Sequence, residues 1–142
     1  MSHFEVPAEL ASIGVIQSRV EELAEPVLDP GSLFKLSMAI EEVVTNIVTH
    51  GHTDGTMIGV SISIADGQAT VEIEDHGVAF DPFHDAPRPH TEAALEDRAV
   101  GGLGIHLVRE MMSETSYQRL GNRNQIRLVM RRKSASGQEA GS

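Results

Sequence analysis

Two runs of alternating apolar residues meet at Asp66-Gly67. In the first, Ile58, Val60, Ile62 and Ile64 alternate with Gly59, Ser61 and Ser63; in the second, Ala69, Val71 and Ile73 alternate with Thr70, Glu72 and Glu74. Alternation sends successive side chains to opposite faces of a strand, and Asp-Gly suits the backbone of a two-residue hairpin. An antiparallel pair with one apolar face follows. Asp75 falls on the inward parity, in line with Val71 and Ile73. A buried carboxylate needs a hydrogen-bonding partner, since leaving it alone costs several kcal/mol. Two readings stand: the strand ends at Glu74 and Asp75 opens a turn before Gly77, or Asp75 faces a cavity that receives a donor from a ligand.

The preceding stretch has the other period. Leu36, Ile40, Val43, Val44, Ile47 and Val48 recur at three- and four-residue steps and predict one apolar stripe of a helix. Asp29-Pro30 supplies an N-cap followed by proline at the first helical position, and Gly51 stops the helix. Glu42, Asn46 and His50 stand four apart on a neighbouring face. That row is either a solvated face or the floor of a site. Upstream, His3 to Val6 reads as an edge strand, and Pro7 as the first turn of a helix that buries Ile13, Ile16, Val20, Leu23 and Val27 and ends near Pro26.

Downstream, Phe80 to Val100 loses all periodicity, with Pro82, Pro87 and Pro89 among scattered polar residues; at most Thr91 to Arg98 forms a helical turn. A loop this long in a compact domain is usually a lid, a binding loop or a disordered segment. Gly101-Gly102-Leu103-Gly104 then runs into Ile105, Val108, Met111 and Met112 at helical spacing. Each glycine costs about 1 kcal/mol in a helix relative to alanine, so three at a helix start imply a close approach to backbone. Free N–H groups and the helix dipole there favour an anion. Thr115 to Leu120, a turn from Gly121 to Asn124, and a strand with Ile126, Leu128 and Met130 inward complete the pattern, with Arg127 and Arg131 outward as a solvated face or a meeting place for an acidic partner.

At 142 residues the chain suits a single domain, residues 1–133, with a fraying polar tail from 134 to 142. A formal net charge of -10 argues against a direct nucleic-acid binder. With no cysteine, disulfides and thiolate metal sites are excluded. No apolar run of about 18 residues and no basic-then-apolar N-terminus appear, so neither a membrane span nor a signal peptide is expected. The expected location is the cytoplasm.

Three pieces now stand in a fixed order: a Glu-x-x-x-Asn helix, an Asp-x-Gly-x-Ala turn after a strand (Asp75, Gly77, Ala79), and a Gly-x-Gly helix start (Gly102, Gly104) after a long loop. Together they resemble the GHKL ATPase superfamily, whose Bergerat fold is shared by histidine kinases, the Hsp90 chaperone, gyrase and MutL. The resemblance spans roughly Phe4 to Lys133. The short length and the run Glu42-Val43-Val44-Thr45-Asn46 look most like the RsbW/SpoIIAB group, bacterial anti-sigma factors that are also serine protein kinases. It implies an α+β, two-layer sandwich: a mixed, mostly antiparallel sheet with helices on one face.

The resemblance also implies roles. Asn46 matches the asparagine that binds magnesium, Glu42 the proposed general base, and Asp75 the acceptor for the adenine amino group. Gly77 and Ala79 match the turn that approaches the base. Gly101, Gly102, Leu103 and Gly104 match the phosphate-binding helix start, and residues 80–100 take the place of the ATP lid. ATP and Mg2+ are the implied cofactors. The implied partners are a sigma factor or equivalent regulator, a STAS-type antagonist as the phosphorylated substrate, and a second copy of the chain through the N-terminal strand and helix. His50 is expected to pack or support, and His76 and His106 to be structural or exposed. The family's Gly-x-Thr turn is replaced by Gly121-Asn122-Arg123-Asn124, from which Asn124 could bond near the adenine. The arginine that some members carry before the glycine loop has only Arg98 as a counterpart. A nucleotide-gated binding module without kinase activity would use the same pocket. A histidine kinase half would need a preceding substrate-histidine helix, and a chaperone or topology ATPase a following domain.

Overall fold

The computed structural model describes residues 1–51, 53–85 and 102–133. The elements are β1 (Ser2–Pro7), α1 (Ser12–Ala24), α2 (Pro30–His50), β2 (Met57–Ala65), β3 (Gln68–Asp75), α3 (Pro82–Asp85), α4 (Gly102–Met111), β4 (Glu114–Leu120) and β5 (Arg123–Arg131). The five strands make one sheet in the order β1-β2-β3-β5-β4. All four pairings are antiparallel, so the expected mixed sheet is wholly antiparallel among the described residues.

The alternation read in the sequence sets which face is covered. Val60, Ile73 and Ile126 stand abreast across β2, β3 and β5, as do Ile62, Val71 and Leu128. The stripes of α1, α2 and α4 pack onto this face in one apolar cluster. The layers are therefore one sheet and one set of helices. Asp66 and Gly67 both take positive φ, 54° and 73°, as a tight hairpin that follows the sheet twist requires.

Four local expectations are corrected. Pro7 closes β1 instead of opening α1, because a proline at a strand end loses no needed donor; α1 starts at Ser12, whose hydroxyl donates to the Pro7 carbonyl at 2.7 Å. Leu23 stays 36% exposed, and Ala24 fills the buried position in its place. Within the stretch read as irregular, residues 82–85 form the short α3, capped by Asp81, whose Oδ1 accepts from the Phe83 N–H at 2.9 Å. The last hairpin turns on Gly121 and Asn122 alone, with Leu120 opposite Arg123, so Arg123 and Asn124 belong to β5. Thr91 to Arg98 and the tail from 134 lie outside the described residues.

Candidate nucleotide site

The stripe of α2 carries Asn46 inward between Val43 and Ile47, and it is only 1% exposed. Its Nδ2 donates to the backbone carbonyl of Glu42 at 3.0 Å, which turns the amide oxygen the other way. Glu42 is half-buried one turn earlier. Its Oε1 is buried and accepts no hydrogen bond from the described residues. Burial, and secondarily the charge of Glu41, pushes its carboxyl above the usual range. The other partner of Glu42 is Gly104 on α4: a methyl group there would overlap the carboxylate. Only glycine lets α4 approach α2 this closely with Glu42 in place.

On the sheet side, β3 continues through Asp75, which is 3% exposed and pairs in register with Asn124 of β5. The reading in which the strand ends at Glu74 is therefore corrected, because pairing with β5 carries the ladder one residue further. Asp75 stays in the strand on the inward parity, and its Oδ1 also accepts from the Gly77 N–H at 2.8 Å in the turn. The same oxygen accepts from Asn124 Nδ2 at 3.0 Å. Asn124 is buried with its polar groups engaged. Nδ2 also donates to the Val78 carbonyl at 2.8 Å, and Oδ1 accepts from the Tyr117 hydroxyl at 2.6 Å and the Phe80 N–H at 3.3 Å. Burial raises the Tyr117 phenol above its usual range, which keeps the proton it donates. Arg119 reaches across from β4 to Asn124 Oδ1 at 3.2 Å and to the Gly77 carbonyl at 2.9 Å.

Between these walls lies a cavity of about 10 Å³, lined by Asn46, Ile47, Gly51, Asp75, Phe80, Pro82, Asn124 and Ile126. It holds about one water. Among its walls, Phe80 comes from the loop after β3 and Pro82 from the start of α3. The Phe80 ring leans on His50, centroids 5.8 Å apart, so His50 packs as expected. Gly77 is required by a neighbour within the chain itself: a side chain there would overlap the Gly51 carbonyl at the end of α2. That carbonyl accepts from the Val78 N–H at 3.0 Å.

Ala79 and His76 are exposed. Gly102 and Leu103 open α4, while Gly101 and Arg98 lie outside the described residues. His106 is half-buried, and its Nε2 has no hydrogen-bond partner among the described residues. Among the described residues no three His, Asp or Glu side chains form a metal cluster. Sequence reasoning missed Arg119 and Tyr117, which sit on a strand read only for its outline.

The arrangement is a carboxylate pressed against a glycine-opened helix start, beside a buried cavity floored by an asparagine and an aspartate. Residues 6–130 match the family model described as a histidine kinase-like ATPase domain. The chain belongs to that family. It is 32% identical over 98 residues to the serine/threonine-protein kinase BtrW of Bordetella bronchiseptica, covering 68% of each chain. It is 26% identical over 117 residues to the serine-protein kinase RsbW of Halalkalibacterium halodurans, covering 80% of this chain and 72% of that one. The anti-sigma F factor of Pasteuria penetrans is 29% identical over 94 residues, covering 63% of this chain and 60% of that one. In fold, the chain superposes on the crystal structure of the RsbU and RsbW domains of a Mycobacterium tuberculosis protein with a TM-score of 0.59, at 18% identity, covering 92% of this chain and 32% of that one.

Proposed function

We propose that this chain is an ATP-dependent serine/threonine protein kinase that also serves as the anti-sigma factor of a bacterial partner switch. The observation that carries the reading is the meeting of Glu42 and Gly104. It sets a carboxylate of raised basicity, whose buried Oε1 has no hydrogen-bond partner among the described residues, at the helix start where a phosphate would lie. The names of the relatives, serine-protein kinases and an anti-sigma factor, support the same reading.

The residues fit ATP and Mg2+. Asn46 offers an amide oxygen, the hard donor type that Mg2+ takes beside waters and phosphates. Asp75 offers a carboxylate to the base, and the start of α4 offers backbone N–H groups of Gly102, Leu103 and Gly104 to the phosphates. When bound, the group supplies the phosphoryl to be transferred and the metal charge that neutralises it. The work of the chain itself is to position and to move one proton. Asp75 holds the base edge, with Gly77 and Ala79 forming the turn beside it, and Asn46 holds the metal. Glu42 accepts the proton of the attacking hydroxyl on its buried carboxylate, and its raised pKa makes it a better acceptor near neutrality. The hydroxyl belongs to a serine or threonine of a small STAS-type antagonist. The client held in the alternate state is a sigma factor or an equivalent regulator, the chain works as a homodimer in the cytoplasm, and no helix among the described residues is long and apolar enough to cross a membrane.

The test is transfer of label from ATP, with Mg2+, to candidate antagonists. Wild type should label one of them, and Glu42→Ala should lower the rate at least about a hundredfold, the usual worth of a general base, while still binding ATP. Glu42→Ala transferring at the wild-type rate would remove Glu42 from the chemistry. No label on any partner would favour a nucleotide-gated binding module.

A further inference from the structure

We infer that Arg119 is a positioning residue for base recognition, acting through Asn124 and Gly77 on Asp75; the inference rests on the nucleotide reading above. Arg119 stands on the outermost strand β4, opposite Asn124 in register. Its Nη1 donates to the Gly77 carbonyl at 2.9 Å and to Asn124 Oδ1 at 3.2 Å, and its Nε donates to the Gly121 carbonyl at 3.0 Å. One planar guanidinium therefore ties together the turn after β3, the start of β5 and the β4–β5 hairpin. A single bond from an exposed arginine would matter little. Here the fork fixes three acceptors at once.

The consequence is felt at Asp75. Both hydrogens of the Asn124 amide are committed, to Asp75 Oδ1 and to the Val78 carbonyl, while its oxygen is held by Arg119, Tyr117 and Phe80. A flip would set an oxygen against a carboxylate and a carbonyl. With the amide locked and the Gly77 N–H on the same oxygen, the rotation of the Asp75 carboxylate is fixed. Its other oxygen is then the acceptor a base would meet. An ionised carboxylate accepts only, so a correctly aimed one selects a purine edge bearing an amino group. Lysine cannot replace this fork, because its three donors leave a single nitrogen and lack the planar spread by which Nε holds the Gly121 carbonyl while Nη1 holds Gly77 and Asn124.

Calorimetric titration of the full chain with ATP and with purine riboside 5′-triphosphate, which lacks the amino group, tests this. Wild type should prefer ATP by about tenfold or more, since the lost bond is to a charged acceptor. In Arg119→Ala the preference should fall to about threefold or less, and Arg119→Lys, which keeps the charge and guards against a folding failure, should follow Arg119→Ala. If either folded variant weakens both nucleotides equally and keeps the wild-type ratio, Arg119 supports the fold only and the inference is overturned. If wild type itself binds both equally, Asp75 reads no amino group, and the base-recognition reading fails together with the inference.

Discussion

Glu42 sets function against stability within one side chain. Its carboxyl is held above the usual range by burial and by Glu41, so the folded chain tolerates the neutral acid better than the anion. The direction of the pH effect follows. Below the ordinary value of 4.5 the acid is neutral whether folded or not, and no penalty exists; as pH rises through the raised folded value, the anion is increasingly disfavoured in the fold. Glu42→Gln should therefore melt roughly 1–3 °C above wild type at pH 8, with the gap closing below pH 4.5. Calorimetric scans across that range decide it, and a gap independent of pH would mean that the charge is not what the fold resists. Gly104 belongs to the same bargain of space: it was legible as a helix-start glycine, yet the neighbour that excludes a side chain is Glu42, four elements earlier in the chain.

At the scale of elements, the Asp-Pro pair occurs twice with the same effect. Asp29 caps α2, its Oδ2 accepting from the Ser32 N–H at 3.1 Å, and Asp81 caps α3 ahead of Pro82. The first cap stands before a long periodic stretch and is read at once. The second precedes one turn of helix among prolines, where only the pair itself could have signalled it. Asp29 does more than cap. Its Oδ1 accepts from the Lys133 N–H at 3.0 Å, pinning the end of β5 to the start of α2. That bond first, and Ser32 next, lowers its carboxyl from 3.8 to about 2. A lowered value means stabilisation that is present above pH 3.8 and fades as pH falls through about 2. Asp29→Ala should cost about 1 kcal/mol at neutral pH, as a lost N-cap does, and the difference from wild type should shrink across that window. Urea unfolding at pH 7 and at pH 2.5 measures both, and an equal loss at the two values would leave the charge of Asp29 without a role.

Over the whole molecule the two faces of the sheet have different duties. The inner face is apolar until it reaches Asp75 and Asn124, where the core gives way to the site. The outer face carries cross-strand ion pairs: Glu74 with Arg123 at 2.8 Å, Glu72 with Arg127 at 3.7 Å, and Glu114 with Arg131. The outward arginines are thus matched by carboxylates of their own sheet, which favours a solvated face over a dock for an acidic partner. Exposed pairs of this kind contribute little. Arg127→Ala should change stability by about 0.5 kcal/mol or less and leave capture of the client unchanged. A pull-down with purified client that loses binding in Arg127→Ala would restore the arginine face as an interface.

The sequence by itself determined the hairpin at Asp66-Gly67, the stripe of α2 with its cap and stop, the inward parity of Asp75 and the glycine start of α4, because each depends on spacing along one element or on the φ freedom of a turn residue. It could not place Pro7, which suits a strand end as well as a helix start. Nor could it take Arg123 and Asn124 out of the turn, since polar side chains there look solvated until Glu74 and Asp75 are seen beside them. Only the tertiary structure put Arg119 over Gly77 and Asn124, and Glu42 over Gly104. The contacts of Arg119 with Gly77 and of Glu42 with Gly104 join segments far apart in the chain, and no periodicity along a strand or helix records which side chains will meet when separate elements pack.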